Sequence, residues 1–90
     1  MMTQRQQHTA IDIAARRTGL EPRTIRRCLR VGLVSTSLTE DDLAELRRVR
    51  RLTELEVNLA GVEIIVRMRR RIVELEAELA FWRQQGSRKE

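Results

Sequence analysis

The sequence predicts an all-α protein, a small helix-turn-helix head followed by one long coiled-coil helix. Three observations carry this expectation. Two short amphipathic segments meet at a turn centred on Gly19. A threonine-led acidic run, Leu38–Leu43, has the chemistry of a third helix start. From Ile65 to Trp82, apolar residues recur at alternating spacings of three and four.

Residues 1–8 are polar and read as a disordered tail that takes His8 with it. The head spans 9–56, the coiled-coil helix 57–85, and 86–90 form a second tail. In the head, a first helix is expected from about Ala10 to Arg17, with Ile11, Ala14 and Ala15 inward. Gly19 ends it by taking the left-handed conformation of a tight turn, and Leu20 enters the core. Pro22 suits the first position of a second helix, where its missing N–H is not needed. Glu21 is a weak N-cap beside Ser or Asp. Ile25, Cys28 and Leu29 form the inner side of this helix, and Gly32 ends it.

Leu33–Ser37 make a short connection. Thr39 then caps the third helix, Asp42 completes a capping-box-like pair, and Glu40 and Asp41 complement the positive helix end. Leu38 and Leu43 stand where a hydrophobic staple would hold them. Leu43, Leu46, Val49, Leu52 and Leu55 are expected on the apolar side, with Arg47, Arg48, Arg50 and Arg51 facing water or the partner. Asn58 caps the last helix. Its seam is Ile65, Met68, Ile72, Leu75, Leu79 and Trp82, nearly three heptads. At about 1.5 Å per residue that helix spans roughly 40 Å, beyond the reach of a small head. It therefore calls for a second helix, and a homodimer is expected. An antiparallel register sets Ile72 against Leu75, Met68 against Leu79 and Ile65 against Trp82. Charge fits either orientation.

Charge is distributed unevenly. Residues 1–35 hold seven arginines against Asp12 and Glu21, a net of +5, whereas 36–90 hold eleven basic and eleven acidic residues. Arginine outnumbers lysine seventeen to one, so a compositional bias exists, but bias alone does not leave one half neutral. Arg23, Arg26, Arg27 and Arg30 follow i, i+3, i+4, i+7 and fall within about 100° of helical arc. A guanidinium strip on the second helix of a helix-turn-helix is what meeting phosphates and base edges requires. Duplex DNA is the expected partner, contacted by Arg16, Arg17, Arg23, Thr24, Arg26, Arg27 and Arg30.

The lone Cys28 permits no internal disulfide and reads as a small buried hydrophobe. No Cys/His cluster suggests a metal, and no cofactor is expected. No apolar run approaches a membrane span and no secretory signal is evident, so a cytoplasmic location is expected. Nucleophile, base and orienting group do not come together, and there is no glycine-rich phosphate loop, which argues against an enzyme. Phe81 and Trp82 are the only aromatics and belong to the seam region, not to a platform for single-stranded nucleic acid.

Several short pieces, in order, resemble the MerR-like regulators. They are Thr24-Ile25-Arg26, Val31-Gly32-Leu33, Leu38-Thr39-Glu40-Asp41-Asp42-Leu43 and Val57-Asn58-Leu59-Ala60-Gly61-Val62, which together cover roughly 10–85. The last piece is most similar to the branch of heat-shock repressors and small chaperone modulators. The resemblance implies a winged helix-turn-helix head, dimerisation through an antiparallel coiled coil, and a reading helix at Pro22–Arg30. Two departures stand out. Family aromatics are replaced by Arg27 and Cys28, and only Val34, Ser35, Thr36 and Ser37 stand where DNA-binding members carry a basic hairpin wing. The head is thus expected to be truncated and wing-poor, and no small-molecule effector segment is evident after Gln85. The resemblance leaves two functions, a dimeric DNA-binding transcriptional regulator or a chaperone modulator that binds a J-domain co-chaperone. The arginine face favours the first, since it would repel the basic helix that J-domains present.

Overall fold

The computed structural model describes residues 3–88 and contains four helices: α1 (Gln4–Thr18), α2 (Pro22–Arg30), α3 (Glu40–Glu54) and α4 (Leu59–Arg88). Among the described residues there is no strand. The all-α fold class therefore holds: a helical head without a hairpin wing among the described residues and one long C-terminal helix. The molecule measures 57 × 34 × 20 Å, its long dimension set by α4.

Helix α1 begins six residues earlier than the apolar pattern suggests. Thr3 is its N-cap: the Gln6 amide donates to the Thr3 side chain at 3.2 Å, and the Thr3 amide donates to Gln6 Oε1 at 2.9 Å. This reciprocal capping box satisfies orphan donors that a polar start would otherwise leave to water. Residues 4–8 are thus helical, not a tail; Met1 and Met2 lie outside the described residues. Gly19 closes the helix at φ 78°, with its amide on the Ala15 carbonyl at 2.8 Å. Inside the turn, the buried Thr18 hydroxyl donates to the Ala14 carbonyl at 2.7 Å and accepts from the Leu20 amide at 3.3 Å.

Helix α2 starts at Pro22 without a side-chain cap from Glu21, as its chemistry implied. Its C-terminus is a six-to-one closure: with Gly32 at φ 79°, the Leu33 amide reaches the Cys28 carbonyl at 2.9 Å. Leu33 and Val34 then dive into the core instead of leading out into a wing. The connection is locked by Asp42, whose carboxylate accepts from the Ser35 amide, the Ser35 hydroxyl and the Thr39 amide. Burial works against this carboxylate's charge, but those bonds outweigh it and hold its pKa below the usual aspartate range.

The core joins Ile11, Ala14, Leu20, Ile25, Cys28, Leu33, Val34, Leu43, Leu46 and Val49 to Val62 and Val66 of α4. Leu38 and Leu52 pack against it, but Leu55 does not. It lies just past the end of α3, before Glu56 at φ 64°, and is 73% exposed. The apolar period continued in sequence after the helix had stopped. Asn58 caps α4, accepting from the Gly61 amide at 2.8 Å. The helix continues through Gly86 to Arg88, past the expected end at Gln85; Lys89 and Glu90 lie outside the described residues.

Of the α3 arginines expected to face water or the partner, Arg50 instead ties two elements together, and Arg48 pairs within its own helix. Arg50 donates to the Thr18 carbonyl at 3.2 Å and to Glu54 at 2.9 Å, closing the end of α1 from α3. A Cβ on Gly19 would push this guanidinium away from the Thr18 carbonyl, so a side chain there would disturb that bond as well as strain the φ of 78°. Arg48 lies 3.7 Å from Glu45, which is buried and also 3.6 Å from Arg70 of α4. Arg70 donates in turn to the Leu33 carbonyl, and Arg67 donates to the Val31 carbonyl at 2.7 Å. Through these bonds α4 holds the chain that leaves α2.

Candidate nucleic-acid interface

Packing Ile25 and Cys28 inward leaves Arg23, Arg26, Arg27 and Arg30 exposed along one face of α2. Thr24 is half-buried at the foot of this face. Burial raises the pKa of the Cys28 thiol, against an opposing pull from Arg27, so it stays a neutral core side chain.

Two grooves flank the strip. One, of about 740 Å³, runs toward the end of α3 and the start of α4; Arg23, Thr24, Arg27, Arg50, Thr53 and Leu59 are among its lining, and it also holds Glu21 and Glu54. The other, of about 550 Å³, lies between α2 and the first turns of α1, over Ile11 and Leu29. Arg26 and Arg30 line both grooves and form the ridge between them.

The guanidiniums differ in how they are held. Arg23 pairs with Glu21 at 3.0 Å, both side chains well exposed. Arg26 Nη2 stands 3.5 Å from His8 Nε2. Arg16, Arg27 and Arg30 make no side-chain hydrogen bond or ion pair among the described residues. Arg17 is different: it grips Glu40 of α3 with two hydrogen bonds of 2.9 and 3.1 Å. Those bonds raise the Arg17 pKa and lower that of Glu40. Of the residues expected at DNA, the four of the α2 strip and Thr24 come together, while Arg16 and Arg17 sit at the end of α1 and Arg17 is already engaged.

His8, Gln4 and Gln7 were missed because a polar stretch with no apolar period looks like a tail. The Thr3–Gln6 box was the signal that could have found them. Elsewhere, the seam residues of α4 are all exposed, from 39% for Ile65 to 62% for Trp82. No helix among the described residues is long and apolar enough to cross a membrane.

Comparison with known proteins identifies the helix-turn-helix family. The family described as MerR HTH family regulatory protein matches residues 10–69, from α1 into α4. A heat shock protein HspR of Streptomyces coelicolor is 37% identical over 79 residues, an alignment covering 78% of this chain and 52% of that protein. The chain thus spans about half the length of the curated relative it matches. No solved structure matches.

Proposed function

The chain belongs to the MerR helix-turn-helix family of regulatory proteins, and from that premise we propose that it acts as a homodimeric transcription regulator reading duplex DNA through α2. One observation carries the reading. Arg26, Arg27 and Arg30 form an exposed strip on the second helix of the motif, and none of them pairs with a carboxylate among the described residues. Guanidiniums left without an internal counter-charge suit a polyanion, and their position suits entry into a major groove. Arg23 and Thr24 extend the contact, and Arg16 serves a flanking phosphate. Arg17 contributes less than its neighbours, because binding a phosphate would cost its bidentate bond to Glu40.

Dimerisation rests on the seam. Six side chains about half exposed in one chain make twelve in a dimer, and full burial of each is worth about 1.5–3 kcal/mol. Covering the exposed half gives roughly 9–18 kcal/mol, against an association cost of about 4–15 kcal/mol. The midpoints of these ranges leave roughly 4 kcal/mol in favour of the dimer from the seam side chains alone. An antiparallel arrangement sends two basic heads to opposite ends instead of side by side. It also sets Arg69 beside the partner's Glu76 and Arg71 beside the partner's Glu78. Heads so separated would address two half-sites about one helical turn of DNA apart.

A mobility-shift titration on a duplex from the protein's own promoter tests the reading. A shift lost in Arg26→Ala with Arg27→Ala, and kept in Arg51→Ala, supports it. Tight binding to a J-domain co-chaperone, with no DNA shift at low salt, would replace it with the chaperone-modulator function.

A further inference from the structure

We propose that the first two turns of α1 and the facing edge of α2 form a second backbone-phosphate site, built on His8, Gln4 and Gln7 opposite Arg26 and Arg30. The proposal rests on DNA being read by α2, and it deepens that reading. A helix lying in a major groove about 12 Å wide has a sugar-phosphate strand on each side. The ridge of Arg26 and Arg30 has a groove on each side as well. The groove toward α3 contains Glu21 and Glu54, which oppose an anion. The groove toward α1 contains no carboxylate; its polar lining is Gln4, Gln7, His8, Thr36 and the two arginines. A phosphate there meets two guanidiniums and polar donors with no acidic side chain in the lining.

His8 supplies the distinguishing chemistry. Its Nε2 faces Arg26 Nη2 at 3.5 Å, close enough for one phosphate oxygen to meet both groups. A phosphate oxygen between the two groups would accept from both nitrogens. Other charged groups around His8 are Arg30 across the groove and Arg5 and Asp12 on its own helix, close to cancelling along α1. An imidazolium beside a phosphate adds an opposite charge that the neutral ring lacks, so a phosphate in this groove would be held more tightly when His8 carries a proton.

The test is duplex binding by the full chain, followed by fluorescence anisotropy across salt and pH. Wild type should bind several-fold more tightly at pH 6 than at pH 8. His8→Gln, a residue at least as compatible with a helix, should remove that pH dependence. At pH 6 it should also flatten the slope of log affinity on log salt by about one unit per head. His8→Lys should restore the slope but not the pH dependence, which a merely structural role for position 8 would not produce. If His8→Gln keeps the wild-type slope and pH response while Arg26→Ala with Arg27→Ala loses binding, this site is overturned and the α2 reading stands. If the wild type fails to bind duplex at all, both fall.

Discussion

Val62 and Val66 lie on the same helix as Ile72, Leu75 and Leu79, yet the first pair is at most 1% exposed and the other three about half. The two sets occupy different faces of α4, and only about the first three turns, as far as Arg70, have a head beneath them. In the head, loops and helix ends are tied by specific partners: Thr39 and Ser35 to Asp42, Arg50 to the Thr18 carbonyl, Arg67 and Arg70 to the chain leaving α2. Beyond Arg70, the helix has an apolar stripe and charged flanks but no second element. The head has a tertiary core of its own, whereas the outer part of α4 leaves its apolar stripe exposed. The family match reflects the same division, ending at residue 69, before most of the seam.

The sharpest way to separate the two regions is to damage each in turn. Ile72→Asp with Leu75→Asp would place four carboxylates in a dimer seam and should weaken self-association at least about a thousandfold, or roughly 4 kcal/mol. The head should stay folded. Light scattering should fall from dimer to monomer while the thermal transition of the head persists. Leu46→Ala, in the fully buried core, should do the reverse by destabilising the head by about 2–5 kcal/mol, read from a denaturant midpoint. If either variant abolishes both properties equally, head and seam form one cooperative unit and the comparison fails.

Smaller effects sharpen the picture inside the head. Arg50→Ala frees the Thr18 carbonyl and should cost about 1 kcal/mol, whereas exposed Arg51→Ala should lie within about 0.5 kcal/mol of wild type. Asp42→Asn should cost about 0.5–2 kcal/mol through the lost cap and loop bonds. Its sign with pH is fixed. The folded pKa is lowered, so the stabilisation is complete above the ordinary aspartate range and disappears as pH falls through the lowered value. Melting temperatures of wild type and Asp42→Asn should therefore differ at pH 7 and begin to converge only as pH falls below about 4. A constant gap down to pH 2 would show that charge on Asp42 is irrelevant.

Much of the head was legible because its signals are local. Gly19, Pro22, Gly32, the Thr39–Asp42 box and Asn58 each act within a few residues, and each does in the structure what its chemistry requires. The basic face of α2 follows from four spacings alone. What escaped depends on tertiary partners or on missing hydrophobicity. Arg50 and Arg51 are identical in sequence terms, but only Arg50 points at the end of α1. Glu45 looks like any surface acid until Arg48 and Arg70 converge on it. Residues 4–8 carry no apolar period, so their helix was visible only through a capping box. Leu55 failed in the opposite way, since its apolar character continued a pattern whose backbone had already turned.

The most direct measurement is the salt dependence of duplex binding at pH 8 for wild type and for Arg26→Ala with Arg27→Ala. If about six phosphates per dimer are met by arginine, the wild-type slope of log affinity on log salt should be near −5. Removing two arginines from each head should bring it to about −2, with the dimer intact by light scattering. A slope unchanged by this pair, or lowered as much by Arg51→Ala, would contradict the account, because diffuse charge and not the face of α2 would then hold the DNA.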